Sequence, residues 1–220
     1  KGGASSSQRA DLTFHRSMAS TKAAAGGPSS LEPPVQSNGL HRAQVSSMTA
    51  PLADSGPVIH DIYESKTGSW QYIVADPSTS IAVIIDPVLD FDPATSTITT
   101  ESADSLLSLI KAESYRIDMI LETHAHADHI TAASYLQTVL TKQQRHRPLI
   151  GIGKRIGIVQ EIFGSRYKIP PAHYEGVFDK LFGDDSTFRI GSLNAMAIHI
   201  PGHTPDHMGY KIGDNVFVGD

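Results

Sequence analysis

Cysteine is absent from the 220 residues. Its absence excludes disulfides, thiolate nucleophiles and thiolate metal ligands together, and fits an intracellular protein. No apolar run approaches the roughly 20 residues a membrane-spanning helix needs, so no membrane partner is expected. An excess of positive charge is lacking as well: 18 Lys and Arg stand against 23 Asp and Glu, a formal net charge of -5. That balance argues against a nucleic-acid partner held by a basic surface. There is no internal repeat, and the sequence is silent on oligomeric state. What remains is a chain with 40% hydrophobic residues, long enough for one sizeable core, or one domain plus a tail.

Residues 1–56 are rich in Ser, Ala, Gly, Pro and Gln and show no hydrophobic period. Such composition cannot bury enough apolar surface to offset the entropy of ordering, so disorder is expected. Lys1, Arg9, Arg16, Lys22 and Arg42 outnumber Asp11, Glu32 and Asp54. Basic, Ser-rich and acid-poor is the pattern of a transit peptide, although Pro28, Pro33 and Pro34 leave little room for a long amphipathic helix. The expectation is a mitochondrial matrix address, with the cytoplasm as the alternative. The chain starts on Lys1 and stops at Asp220 directly after a strand-like run. Both ends lead to the expectation of a piece of a longer protein.

Residues 57–220 are expected to form one domain mixing strands and helices, a layered α/β or α+β fold. Gln71–Ala75 and Ile81–Ile85 read as a hairpin closed by Asp76-Pro77-Ser78-Thr79-Ser80. Residues 90–100 read as a polar loop, followed by a helix over 103–113 capped by Ser102. Ile117–Leu121 reads as a buried strand and Ile130–Leu140 as a helix. Further on come a strand at 149–152, a helix at 156–163 and a loop at 165–176. Two more strand pairs follow, over 188–200 and 208–218.

Between Leu121 and Ile130 lies the richest stretch of the chain: His124-Ala125-His126-Ala127-Asp128-His129. Three imidazoles and a carboxylate in six positions are nitrogen and oxygen ligands of the kind zinc and iron take. Crowding them without a cation is costly, because the groups lose water and gain no partner. A strand-to-helix turn would aim them at one point. Pro201-Gly202-His203 and Gly219-Asp220 follow later strands and offer further ligands at strand ends. Each is weak alone; the three together form an ordered set. Asp206-His207 reads as a solvated turn, with an acid–imidazole pair supporting the site as the alternative, and His15, His41, His60, His146, His173 and His199 read as ordinary histidines.

This ordered set resembles the motifs of the metallo-β-lactamase fold. The resemblance runs from about Val58 to Asp220. The wider text is closer to one branch. Ile85-Asp86-Pro87-Val88-Leu89-Asp90, Ile120-Leu121-Glu122-Thr123-His124 with the rest of the histidine motif, and Pro201-Gly202-His203-Thr204-Pro205 are together similar to the glutathione-dependent persulfide dioxygenases. Glyoxalase II is a cousin with the same core motifs. The resemblance implies an αβ/βα sandwich with the site at one edge between two sheets, and a C-terminal half missing after Asp220. It implies one Fe(2+) per chain held by His124, His203 and Asp220, which would be the catalytic centre. Glutathione persulfide and O2 would be the partners, and sulfite and glutathione the products. His126, Asp128 and His129 would then orient the ligands.

The alternative is a glyoxalase-II-like thioester hydrolase with two Zn(2+) per chain. In that reading His126 joins His124, His203 and Asp220 on one metal, while Asp128 and His129 share Asp220 on the other. A third reading is an inactive fragment or interaction module. Tyr210, Arg189 and Lys154 are candidates to meet the carboxylates of glutathione.

Overall fold

Ile81–Ile85 and Arg116–Leu121 are apolar over most of their length, as strands covered on both faces must be. The structure, a computed structural model, describes residues 56–220 and puts these two strands side by side in the middle of one sheet. The expected extension over 1–56 lies outside the described residues except for Gly56.

In chain order, β1 (Val58–Glu64), β2 (Ser69–Ala75) and β3 (Ile81–Ile85) form an antiparallel meander. β4 (Val88–Asp92) and β5 (Thr97–Thr99) form a hairpin, followed by α1 (Glu101–Ala112) and β6 (Arg116–Leu121). Then come β7 (Ile130–Thr131), α2 (Ala133–Gln144), β8 (Leu149–Gly153) and α3 (Ile156–Tyr167). A 3-10 turn at Pro171–His173 leads to β9 (Lys180–Phe182). β10 (Ser186–Ile190), β11 (Leu193–His199), β12 (Met208–Ile212) and β13 (Asn215–Phe217) make a second antiparallel meander.

The first sheet has the order β1-β2-β3-β6-β8-β9, and its β3-β6-β8-β9 part is parallel. Parallel neighbours need crossovers, and α1 and α2 supply those of β3-β6 and β6-β8. One core lies between this sheet and the helices, around Ile84, Ile120, Leu106, Ile110, Leu136 and Leu140. A second lies between the two sheets, around Val83, Leu121, Phe182, Ile190, Tyr210 and Phe217. Each fully buried isoleucine or leucine here contributes roughly 1.5–3 kcal/mol relative to exposure. The layered α/β expectation therefore holds: helices, sheet, sheet. The parallel strands β3 and β6 end at Ile85 and Leu121, and the motif residues begin where they stop. Carboxyl ends of parallel strands are where such sheets place ligands.

Local readings needed correction where long-range pairing overrides spacing. Ile130 and Thr131 are not helical; they pair with Leu89 and Val88, and α2 starts at Ala133. Residues 90–100 are not a plain loop, since β4 and β5 pair across them. Ser102 is not the cap of α1. The helix starts one residue earlier, and both the amide and the hydroxyl of Ser102 donate to the Asp90 carboxylate, at 2.8 and 2.7 Å. Helix α3 runs to Tyr167, past the expected end at 163.

Candidate metal centre

Asp86, at the end of β3, organises the site. It sits at φ 49°, a left-handed conformation that Asp tolerates better than most residues. Its Oδ1 accepts from the Thr123 amide at 2.7 Å, and its Oδ2 accepts from the Thr123 hydroxyl at 2.8 Å. With the Thr123 proton committed to Asp86, the His124 Nδ1 at 2.9 Å donates to the Thr123 oxygen. This chain of donors fixes the tautomer of His124 and leaves Nε2 a bare lone pair. Burial, with His126 and His207 nearby, pushes the His124 imidazole down to about 4, so it is neutral at neutral pH.

The same Asp86 Oδ1 meets His126 Nε2 at 3.1 Å, and the Glu122 carboxylate meets that nitrogen at 3.2 Å. Burial opposes a charge on His126, but the bonds to Asp86 and Glu122 outweigh it and push the ring up to about 10. Burial pushes the Glu122 carboxyl up. The other Glu122 oxygen takes the Thr131 hydroxyl, and its carbonyl takes the Tyr210 hydroxyl at 2.8 Å. With Nε2 bound outward, His126 turns Nδ1 inward, 3.8 Å from Asp128 Oδ1. His129 Nδ1 donates to Asp128 Oδ2 at 2.9 Å, and the Ser69 hydroxyl lies 3.1 Å from both. Burial alone would raise the Asp128 carboxyl; the bond from His129 and others hold it at about 2.

His203 and Asp220 arrive from the far side, on the loop after β11 and just past β13. Asp220 Oδ2 lies 3.9 Å from His124 Nε2 and 3.8 Å from His203 Nε2. One ligand atom from each of His124, His203 and Asp220 falls within 4.8 Å of the others. His124, His126 and Asp128 meet the same limit, as do Asp86, Glu122 and His126. His129 belongs to none of these groups among the described residues. His124 Nε2, His126 Nδ1 and His129 Nε2 are buried without a partner. Buried polar atoms of a folded protein are nearly always paired, so the orphan Nε2 of His124, within ligand spacing of His203 and Asp220, fits a cation.

Several expectations change here. Asp206 and His207 do not form a solvated turn; both are at most 1% exposed and touch the site. His199 is not idle, because its Nε2 donates to the Pro205 carbonyl at 3.0 Å and braces the His203 loop. Tyr210 is fully buried with its hydroxyl donated to the Glu122 carbonyl, so it is not free to meet a substrate carboxylate. Gly202 has open space where a Cβ would stand and needs no special backbone, whereas Gly219 sits at φ 66° with the Thr123 hydroxyl in the way of any side chain. Beside the centre, a cavity of about 470 Å³ is lined by Ala125, His126, Val159, Phe163, Pro205 and neighbours.

Two sheets with a His- and Asp-lined centre at the strand ends define a metal-dependent enzyme class. The Metallo-beta-lactamase superfamily model matches residues 66–220, and the chain belongs to that family. Its members include hydrolases and dioxygenases. The chain is 38% identical over 165 residues to a "Beta-lactamase hydrolase-like protein" of Xylella fastidiosa (strain Temecula1 / ATCC 700964), covering 74% of this chain and 37% of the relative. It is 25% identical over 184 residues to "Persulfide dioxygenase ETHE1, mitochondrial" of Mus musculus, covering 83% of this chain and 57% of that one. Among solved structures, ETHE1 from Myxococcus xanthus shares the fold with a TM-score of 0.53 at 23% identity, over 72% of this chain and 55% of that chain. The chain thus spans well under two thirds of the length of these relatives.

The Asp86–Thr123–His124 relay gives a first prediction. Thr123→Val keeps the shape and removes the relay, so His124 can take either tautomer. Metal affinity is expected to fall by about 10–100-fold, the range for losing an outer partner of a ligand. Competition with a chelator measures it, and unchanged affinity would refute the relay.

Proposed function

We infer that the chain carries the iron centre of a persulfide dioxygenase-like oxidoreductase, acting on glutathione persulfide and O2. The observation that carries this reading is the triangle of His124, His203 and Asp220. Two neutral imidazoles and one carboxylate suit one face of an octahedron, with positions left for substrate and O2. A divalent ion there keeps a net positive charge, which favours an anionic sulfur. Asp128 supports a single-metal site, because its Oδ2 already accepts from His129 and Ser69.

Fe(II), when bound, supplies the O2 chemistry that no side chain of the chain provides. The residues do the rest. Thr123 and Asp86 aim His124, Asp86 and Glu122 aim His126, and the cavity beside Pro205 leaves room for the bulk of a substrate. His203 and Asp220 are the exposed corners of the triangle, open to an incoming substrate. The overall conversion balances as glutathione persulfide, O2 and water giving glutathione, hydrogen sulfite and a proton.

A thioester hydrolase with two Zn(2+) is the second reading. It is favoured by the ligand spacing of His124, His126 and Asp128 and by the orphan nitrogens of His126 and His129. Metal analysis with two assays separates the readings. One iron per chain with O2 uptake on glutathione persulfide supports the first. Two zinc ions with cleavage of S-lactoylglutathione replaces it with the second. Neither activity in the metal-loaded protein would leave an interaction module. We place the enzyme in the mitochondrial matrix on the composition of residues 1–56 alone. A fluorescent reporter fused behind them in a eukaryotic cell should coincide with a matrix marker; a diffuse cytoplasmic signal would favour the alternative.

A further inference from the structure

One dipeptide, Asp206-His207, touches the chain segments that bring in all three corners of the triangle. His203 lies four residues before His207 in the same loop. The His207 ring stacks on the His124 ring, with centroids 4.4 Å apart and planes 14° apart. Its Nε2 lies 2.6 Å from the Val218 carbonyl, two residues before Asp220. A carbonyl only accepts, so Nε2 carries the proton and donates. Asp206 Oδ2 accepts from the amide of Ala125, the residue after His124, at 3.3 Å. The next residue closes the same joint: the Met208 amide donates to the Thr123 carbonyl at 2.8 Å. Where these contacts meet, the chain carries Gly219, whose absent Cβ would stand 3.1 Å from His207 Nε2 and collide with the Thr123 hydroxyl.

We propose that Asp206 and His207 are positioning residues that clip the His124 loop to the strand end carrying Asp220, holding both at ligand spacing before an ion arrives. Without the clip, β6 and β13 deliver their ligands from different sheets. The ion would then have to order the Asp220 segment itself, and the entropy of that ordering is subtracted from its affinity. Plain core packing by His207 makes a different prediction. It would lower the melting temperature of a variant but leave the metal affinity of the folded fraction alone. The inference rests on the metal triangle of the preceding reading and not on which reaction that metal serves.

Co(II) titration of the full chain against a chelator tests it. His207→Phe keeps a ring to stack on His124 and removes the donor to Val218. It is expected to bind Co(II) about 10–100-fold more weakly, the range for losing an outer partner, with an altered d–d spectrum. His207→Gln places an amide N–H near the position of Nε2 and is expected to recover most of the loss. A folded His207→Phe variant binding Co(II) as tightly as the parent overturns the proposal. So does a His207→Gln variant no better than His207→Phe. A measurement on the unaltered metal-free protein does not depend on any variant folding. Long-range nitrogen–proton NMR should find His207 as the Nε2–H tautomer with a slowly exchanging proton. The Nδ1–H tautomer, or a proton exchanging at the solvent rate, overturns the clip. These readouts use the metal alone. A failed clip therefore leaves the choice between oxygenase and hydrolase where it was, and a failed O2-uptake assay leaves the clip standing.

Discussion

His124→Ala is expected to strip the triangle of its metal and, with it, the chain of any activity. His124 is the most committed of the candidate ligands. It is 1% exposed, its Nδ1 is fixed by Thr123, and its Nε2 faces the triangle with no other partner. It also belongs to two of the three candidate ligand groups, that with His203 and Asp220 and that with His126 and Asp128. A one-metal centre does not survive its removal, and a two-metal centre loses a ligand of one of its two ions. Losing an outer partner of a ligand costs about 10–100-fold in affinity, or about 1.4–2.8 kcal/mol, and losing the ligand itself costs more. Metal analysis after gel filtration should therefore find the variant essentially empty for a one-metal centre, or with at most half the parent's metal for a two-metal centre, under conditions where the parent is loaded. His146→Ala is the control, since that ring is exposed and pairs with Asp118 at 3.3 Å, outside every candidate ligand group. It is expected to keep the parent's metal content. A His124→Ala protein that retains the parent's metal would remove the basis for both readings of the function.

The parts of this site legible in the sequence are those whose chemistry is local. Four ligand-type residues in six positions announce a metal whatever the fold, and long apolar runs such as Ile81–Ile85 announce buried strands. The parts that were not legible depend on partners far along the chain. Asp206-His207 is polar and follows a proline, so a turn outweighs a site-supporting pair in the sequence; its burial comes with contacts to Ala125, His124 and Val218, just past β6 and β13. Ile130 and Thr131 continue a helical spacing but are drawn into pairing with β4, across 41 and 43 residues of sequence. Gly164 and Ser165 look like the end of a helix. In the fold, Gly164 is inside α3, and a Cβ there would stand 2.6 Å from the Tyr174 ring, so the glycine serves a close approach instead of a break. Asp86 shows a related gap. A hairpin strand ending in Asp-Pro carries no sign that its carboxylate orients two imidazoles about 40 residues on, and only the parallel pairing of β3 with β6 makes that contact.

The second large effect is on stability, at the end of the molecule where the two sheets are tied by one carboxylate. Asp76, in the turn between β2 and β3, is 1% exposed. Its Oδ1 accepts from the amide and hydroxyl of Ser78, at 2.9 and 2.8 Å. Its Oδ2 accepts from the Thr79 hydroxyl at 2.7 Å and from the Ser192 amide, in the turn between β10 and β11, at 2.6 Å. Asp76→Asn replaces one oxygen by an NH2 group. The new group can face Thr79, whose hydroxyl can turn round to accept, but not the Ser192 amide, which only donates. Hydrogen bonds to a charged group contribute roughly 1.5–3 kcal/mol, and a stranded buried donor adds its own cost, so a loss of about 3 kcal/mol is expected. At this size that lowers Tm by about 6–12 °C. The pH dependence has a definite sign. Burial alone would raise the Asp76 carboxyl, but the bonds from Ser192, Thr79 and Ser78 outweigh it and hold it well below the usual carboxylate range. A carboxyl depressed in the folded state contributes its stability above its unfolded value, near 3.9, and loses it as pH falls further toward the folded value. The gap between parent and Asp76→Asn should thus be constant above about pH 5 and shrink steadily below about pH 4. Urea melts of both metal-free proteins across that range measure it. A gap that persists undiminished at the acid end would mean that the clamp acts through shape and not through charge.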